Sequence, residues 1–420
     1  MKKLNVLAIA LLAALLMGSI YTFAPAKAAA RSDVDVRFYG SHEAAYTALK
    51  AGDVDFIQWS VTYEQKLDVE DDPDLCVAGY SENGMMEYDL NNNYTVPMTY
   101  PGVKNPVTDK HFRRALSCMI DKEHIINAIL KGAAGILNVP IPLNSISWWP
   151  DCSLVGQYEW QYNMTKAAEQ LALAGFTDTE PDGIVNYPSG WPGKESGPNM
   201  DPLIVYVRTE DKRLDAGRYF CDQLTLLHIP FTKTEGTSDV CFPPVMDDRN
   251  YHVYTGGWSL GRYPLFLYNG FHSDFWFPGG SNYVTGMNES NLPNYPIYDD
   301  LSHDVYYTSS IASSKAAAKA AANYGWCDQV FNIPLWSYDS YVAWRTSMPG
   351  VINEFGYGYD NMYQFMNAYQ SSGGVIRMGT IAAPKSLNPL YATWYYDYAV
   401  LDRVYETLLT VNPYDLGIDQ

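Results

Sequence analysis

Val34-Asp35-Val36-Arg37-Phe38, then His42-Glu43-Ala44-Ala45-Tyr46-Thr47-Ala48-Leu49-Lys50, then Val54-Asp55-Phe56-Ile57: in this order the chain reads as strand, helix, strand. The first piece alternates apolar and polar residues, the period-two pattern of a half-buried strand. The second places Ala44, Ala45, Ala48 and Leu49 on one helical face, and Gly52 stops it. Parallel strands need a crossover of this kind, so the unit implies a parallel sheet covered by a helix.

The alternation continues outward from there. A helical run opens near Asp109 with Phe112, Ala115, Leu116, Met119 and Ile120 at helical spacing. Asp121 is placed to cap a further helix, Lys122 to Leu130, which Gly132 ends. Thr165 to Ala174 is another helix, closed by Gly175. Leu203–Val207 and Tyr251–Thr255 read as strands, with a helix from Leu214 to Leu226 between them. An Ala-rich helix from Ser313 to Val330 leads into strand-like Phe331–Trp336. Strands and helices alternate throughout, so the fold class is α/β.

The 420 residues include 47 Asp and Glu against 28 Lys and Arg, a formal net charge of −19. Such a surface repels phosphate backbones, which excludes a nucleic-acid partner. Tyr, 35 residues, and Trp, 11, are plentiful, and their flat faces with a polar tip suit either a core or a ligand pocket. Lys2 and Lys3, an apolar run from Leu4 to Ile20 and small residues through Ala30 form a secretory signal pattern. No Cys follows that run, so lipid attachment there is excluded; an uncut signal would serve as a membrane anchor. The expected location is therefore outside the cytoplasm. The six cysteines at 76, 118, 152, 221, 241 and 327 allow either disulfides or buried free thiols.

Catalysis finds one motif to test. Gly257-Trp258-Ser259-Leu260-Gly261 fits the G-x-S-x-G nucleophile elbow after a strand, with Asp274 and His303 in the order of a triad. An elbow needs a helix directly behind its serine, and Pro264 falls where that helix should be bonding its amides. A secreted serine hydrolase is therefore the alternative, not the main reading. Asp178-Thr179-Glu180-Pro181-Asp182-Gly183 spaces carboxylates like a calcium loop, but Ser189 stands at the closing position, so a turn is expected. No His or Cys spacing suits a metal and no Gly-rich phosphate loop follows a strand, so no cofactor is expected.

Several stretches, taken in order, resemble the dipeptide/oligopeptide/nickel-binding family of ABC solute-binding proteins, family 5. They are Ala48–Asp55, His111–Ile126, Ala167–Phe176, Gly256-Gly257-Trp258 and Asn332–Leu335. One segment is out of order. Gly374–Leu390 and Tyr398–Leu409 resemble the amino-terminal strand and helix of such proteins, yet here they follow the linker Gln370–Gly374 at the carboxyl end.

The resemblance implies a non-enzymatic protein that captures a peptide-like or other small solute for an ABC permease. Its fold would be periplasmic-binding-protein-like, type II, with two hinge-connected lobes closing on ligand. On that plan 1–30 is the signal or anchor, 31–95 a first-lobe segment, 96–335 the second lobe, 336–370 the return to the first lobe, and 371–420 the family's amino-terminal part in permuted or tandem order, on a chain expected to be incomplete. Asn92 and Asn93 would mark one hinge and Trp336 the other. Trp258 and Arg262 would meet ligand, with Asn93, Trp59, Trp394 and Tyr395 as further ligand-binding candidates. Peptide binders of the family carry an acid three positions after the motif's Trp; here that position is Gly261, followed by Arg262. An anionic ligand, or a neutral oligomer held by aromatic stacking, is expected, with Asp397 as the alternative partner for a ligand ammonium.

Overall fold

The computed structural model describes residues 33–419, except 97, 155, 180–181, 195–197, 278, 283, 285–294, 355, 359–360, 393–394, 403, 406–409 and 413–417. The signal segment 1–30 therefore lies outside the described residues, as does Trp394. No described helix is long and apolar enough to cross a membrane. The strands that matter here are β1 Val34–Phe38, β2 Phe56–Ile57, β3 Leu75–Ser81, β4 Gly84–Leu90, β5 Ala134–Ile136, β6 Leu203–Arg208, β7 Phe231–Gly236, β8 Val253–Ser259, β9 Ile333–Arg345 and β10 Ile376–Thr380. The helices are α1 His42–Ala51, α2 Tyr63–Glu70, α3 Lys110–Cys118, α4 Met164–Leu173, α5 Arg213–Leu226, α6 Tyr295–Tyr306 and α7 Ile311–Ala322. The chain divides into two compact units, one built from residues up to Gly79 and from Tyr341 onward, the other spanning Tyr80–Ser340.

In the first unit α1 forms where the sequence places it. Ser41 caps it through the Ala44 amide, and Gly52 closes it at φ 80°, a left-handed geometry that costs glycine nothing. α2 begins with a reciprocal capping box between Thr62 and Gln65. Ala45, Ala48 and Leu49 pack on Val54, Ile57, Val61 and Val69. β1 and β2 are parallel, as the sequence implies, but they do not pair with each other. β10 lies between them, in register from Val34↔Ile376 to Phe38↔Thr380 on one side and at Met378↔Phe56 and Gly379↔Ile57 on the other. A helix about 10 Å wide spans two strand spacings of ~4.8 Å, so the α1 crossover leaves room for that strand. Asp55, fully buried, fixes it: Arg377 donates from Nη2 to Oδ1 (2.6 Å), and from Nε (3.1 Å) and its backbone N–H (2.7 Å) to Oδ2.

The second unit carries strands in the order β9-β4-β8-β6-β7, with β5 also on β9. β4 is antiparallel to β8 and β9, whereas β6 runs parallel to β7 and β8. Alternation along β4 feeds two cores. Tyr88 and Leu90 enter one with α3, α4 and α5; Met85 enters the other with Tyr251, Trp326, Phe331 and the alanines of α7. The helix read from Lys122 to Leu130 is a short α-turn continued by a π-turn over Ile125–Ile129. Cys152 and Cys327 form a disulfide, while Cys76, Cys118, Cys221 and Cys241 remain thiols.

The boundaries differ from the sequence reading. The chain passes between units at 79/80 and 340/341 rather than at 95/96 and 335/336. Asn92 and Asn93, expected at a hinge, are buried with Asn91: Asn91 Nδ2 donates to the Arg249 and Tyr251 carbonyls, and Asn92 Nδ2 donates to those of Leu90 and Phe331. Polar composition resembled a loop, but amides satisfied by backbone carbonyls belong equally to a core. Trp336, expected near a hinge, is fully buried within β9. In the loop after α4 the carboxylates serve the backbone: Asp178 accepts the Gly183 N–H and Asp182 that of Ile184.

Candidate functional site

Ligands of α/β sheets bind beyond the carboxyl ends of parallel strands. In the second unit those ends belong to β6, β7 and β8, and the register Gly84↔Ser259 brings the start of β4 to the same edge. Trp258, next to last on β8, is half-buried against Phe266, with ring centroids 5.4 Å apart. Arg262 follows on the loop after β8, partly exposed, and its carbonyl accepts the Ser145 hydroxyl at 3.3 Å. The sequence reading placed both residues at the ligand; the structure sets them on one edge.

The loop after β6 adds charges that the sequence reading passed over. Arg208 grips Glu210 through two bonds of 2.7 and 2.8 Å and reaches the Tyr254 hydroxyl at 2.9 Å. That Arg208 pairing, helped by the Ser238 N–H, holds the Glu210 carboxyl at about 2. Arg213 grips Asp211 similarly, at 2.9 and 2.8 Å. The signal was legible: Arg208 to Arg213 gathers charges of both signs at and just after the end of a strand, where a site is expected.

At the β4–β9 end of this edge, Ser81 donates to Asp339 (2.9 Å), Ser337 donates to the Glu82 carbonyl (2.7 Å), and Ser340 bonds the Glu82 carboxylate. Burial raises the Asp339 carboxyl above its ordinary value.

The serine elbow does not form. Ser259 ends β8 exposed, the chain turns through Gly261 at φ 70°, and the next helix begins only at Phe266. Among the described residues no helix starts directly after Ser259, so the strand-to-helix turn that an elbow uses for its oxyanion hole is not built there. His303 lies on α6, exposed and stacked on Tyr307.

The remaining candidates separate. Trp336 and Asn93 are buried in the second unit, Trp336 in the core beside Leu335 and Asn93 three residues beyond the end of β4. Trp59, in the first unit, is 42% exposed and stacks on Tyr396 at 6.1 Å. Tyr395 opens the helix Tyr395–Leu401, and its side chain lies outside the described residues. Asp397 is buried and accepts the Lys385 and Ser386 backbone N–H groups at 2.6 and 3.0 Å, so it braces its own loop instead of waiting for a ligand ammonium.

The edge thus offers an aromatic face, forked cations and hydroxyl-bonded carboxylates, a set suited to holding a polar organic ligand. The oligopeptide-binding protein AppA of Bacillus subtilis is 28% identical over 244 residues, 57% of this chain and 40% of that protein. The solved AppA structure, in complex with a nonapeptide, superposes with a TM-score of 0.54 at 21% identity, covering 78% of this chain and 58% of the other. HbpA2 from Haemophilus parasuis gives a TM-score of 0.59 at 17% identity, with 79% and 56% covered. NikZ from Campylobacter jejuni, in complex with Ni(L-His), gives 0.52 at 16%, with 76% and 59% covered. The chain therefore spans well under two thirds of the length of these relatives. The family described as bacterial extracellular solute-binding proteins, family 5 Middle, matches residues 23–275, more than half of the sequence, and this chain belongs to that family.

Proposed function

We propose that this protein captures a peptide-like solute outside the cytoplasm, delivers it to an ABC permease and performs no chemistry on it. The observation that carries the reading is Trp258, half-exposed at the carboxyl edge of parallel strands and flanked by Arg262. AppA is named an oligopeptide-binding protein and NikZ is seen with Ni(L-His), so peptide and metal chelate are the two ligand classes to separate. Peptide is favoured because AppA, similar to this chain in sequence, is named an oligopeptide-binding protein. With Gly261 where a carboxylate would meet a free amine, and Asp397 engaged by its own loop, recognition runs through stacking and backbone hydrogen bonds rather than through the ligand's amino terminus.

Two measurements test this. Mass spectrometry of the protein as purified identifies what it retains. Calorimetric titration then compares peptides with free and acetylated amino termini. Similar affinities are expected, with a loss of about tenfold or more on Trp258→Ala, as for a buried aromatic anchor. A strong preference for the free amine would overturn the recognition mode. Binding of Ni(L-His) with no binding of peptides would overturn the peptide reading.

A further inference from the structure

The first unit has a carboxyl edge of its own, formed by β1, β10 and β2. Phe38 is in register with Thr380, and one step past Ile57↔Gly379 comes Gln58, whose N–H donates to the Gly379 carbonyl at 2.9 Å. Residues in register on parallel strands share a face, so Phe38, Thr380 and Gln58 form one row. A Cβ placed at Gly379, one residue earlier, would meet Ile57 at 3.2 Å and Val54 at 3.3 Å. That is the α1 side of the sheet, and the row points the other way.

Thr380 and Gln58 are 3% and 5% exposed. Among the described residues, neither Thr380 Oγ1 nor Gln58 Oε1 or Nε2 has a hydrogen-bond partner. Buried polar side-chain atoms are nearly always bonded, and three unmet ones on adjacent residues at a ligand-type edge call for a partner. Beside them Phe38 is 49% exposed, and Trp59, the residue after Gln58, is half-exposed on Tyr396.

We propose that Phe38, Thr380 and Gln58 form a subsite for a secondary amide of the ligand. The Gln58 carboxamide carries one donor group and one acceptor, the complement of a peptide C=O and N–H, and the Thr380 hydroxyl supplies either role. Gln58 has three side-chain torsions, so its amide turns toward a bound group without backbone movement. Phe38 and Trp59 pack on the ligand's flanking side chains. This subsite rests on the peptide-like reading above.

The test uses the full chain and penta-alanine, with ester analogues that replace one amide each. Wild type is expected to bind one ester analogue about tenfold more weakly than the parent, the effect of roughly one hydrogen-bond pair. Gln58→Leu and Thr380→Val are expected to bind the parent about tenfold more weakly and to lose that discrimination, with melting temperatures equal to or above wild type. Raised melting temperatures with unchanged affinity and discrimination would overturn the subsite, since a merely structural pair does just that. Should either variant fail to fold, the wild-type ester series decides: uniform affinity across it overturns the subsite. A wild type that binds no peptide defeats the proposed function itself, a result distinct from binding that the variants leave untouched.

Discussion

Arg377→Met should unfasten the first unit, and the structure fixes how strongly. The guanidinium supplies two of the three bonds that Arg377 makes to the Asp55 carboxylate, and Nη1 also reaches the Gly52 carbonyl at 2.8 Å. Methionine leaves Asp55, fully buried, with the backbone N–H of residue 377 and the Gln370 side chain but no charged partner. Breaking a buried pair by removing one partner costs about 3–5 kcal/mol, and the Arg377 side chain is one-third exposed, which favours the lower end. About 3 kcal/mol corresponds to a fall of roughly 6–12 °C in the melting temperature of a unit this size. The loss should also be pH-dependent. Burial pushes the Asp55 carboxyl up, but the Arg377 bonds outweigh it and hold the group below its ordinary value. In the wild type this carboxylate therefore stabilises the fold above about pH 3.9, and the contribution is lost as pH falls through the folded value. Without Arg377 burial dominates and the folded value rises, so the defect should be largest near neutrality and shrink toward pH 4. Amide hydrogen exchange of β1 and β2, run at both pH values, reports on the first unit alone. The double variant Asp55→Leu with Arg377→Met should recover most of the loss, because an apolar pair leaves no buried charge. A defect below about 1 kcal/mol, or one equal at both pH values, would refute the claim that this pair fixes β10 between its neighbours.

Glu87 is fully buried, and burial first, then the charge of Asp89, pushes its carboxyl well above the usual range. Its proton is held on folding, so stability is full below about pH 4.3 and declines as pH rises toward the folded value; Glu87→Gln should flatten that decline and stabilise the protein at pH 8 by urea unfolding. Lys122 bonds the Leu137 carbonyl at 2.8 Å and Asn138 at 3.0 Å, and burial lowers its ammonium to about 7. The group sheds its proton on folding, so its contribution rises from about pH 7 to about 10.4; Lys122→Met should remove that slope from melting curves. The Cys152–Cys327 bond closes a sequence separation of 175, so reduction should lower stability by up to about 5 kcal/mol, read as a melting shift with reductant that a Cys152→Ser variant no longer shows.

Period-two and helical spacing, with Ser41, Asp109, Asp121 and Asn163 in capping positions, determined most elements, because these signals are local. Trp258 and Arg262 were legible as neighbours at one strand end for the same reason: they are four residues apart. The burial of Asn92, Asn93 and Trp336 was not legible because burial is not a local property; the carbonyls that bind the Asn91 and Asn92 amides come from Arg249, Tyr251 and Phe331. The elbow around Ser259 fits as a string and fails as a structure, since an oxyanion hole depends on where the next helix starts. The likeness of residues 374–390 to an amino-terminal segment could be read from the chain, but not the slot that receives it. Only hydrogen-bond pairing between residues more than three hundred positions apart decided that β10 enters between β1 and β2, and it is this pairing that sets Thr380 beside Gln58. Sequence patterns report which face of an element is apolar; which strand lies next to it is settled by the sheet, whose ladder bonds join residues without regard to their distance along the chain.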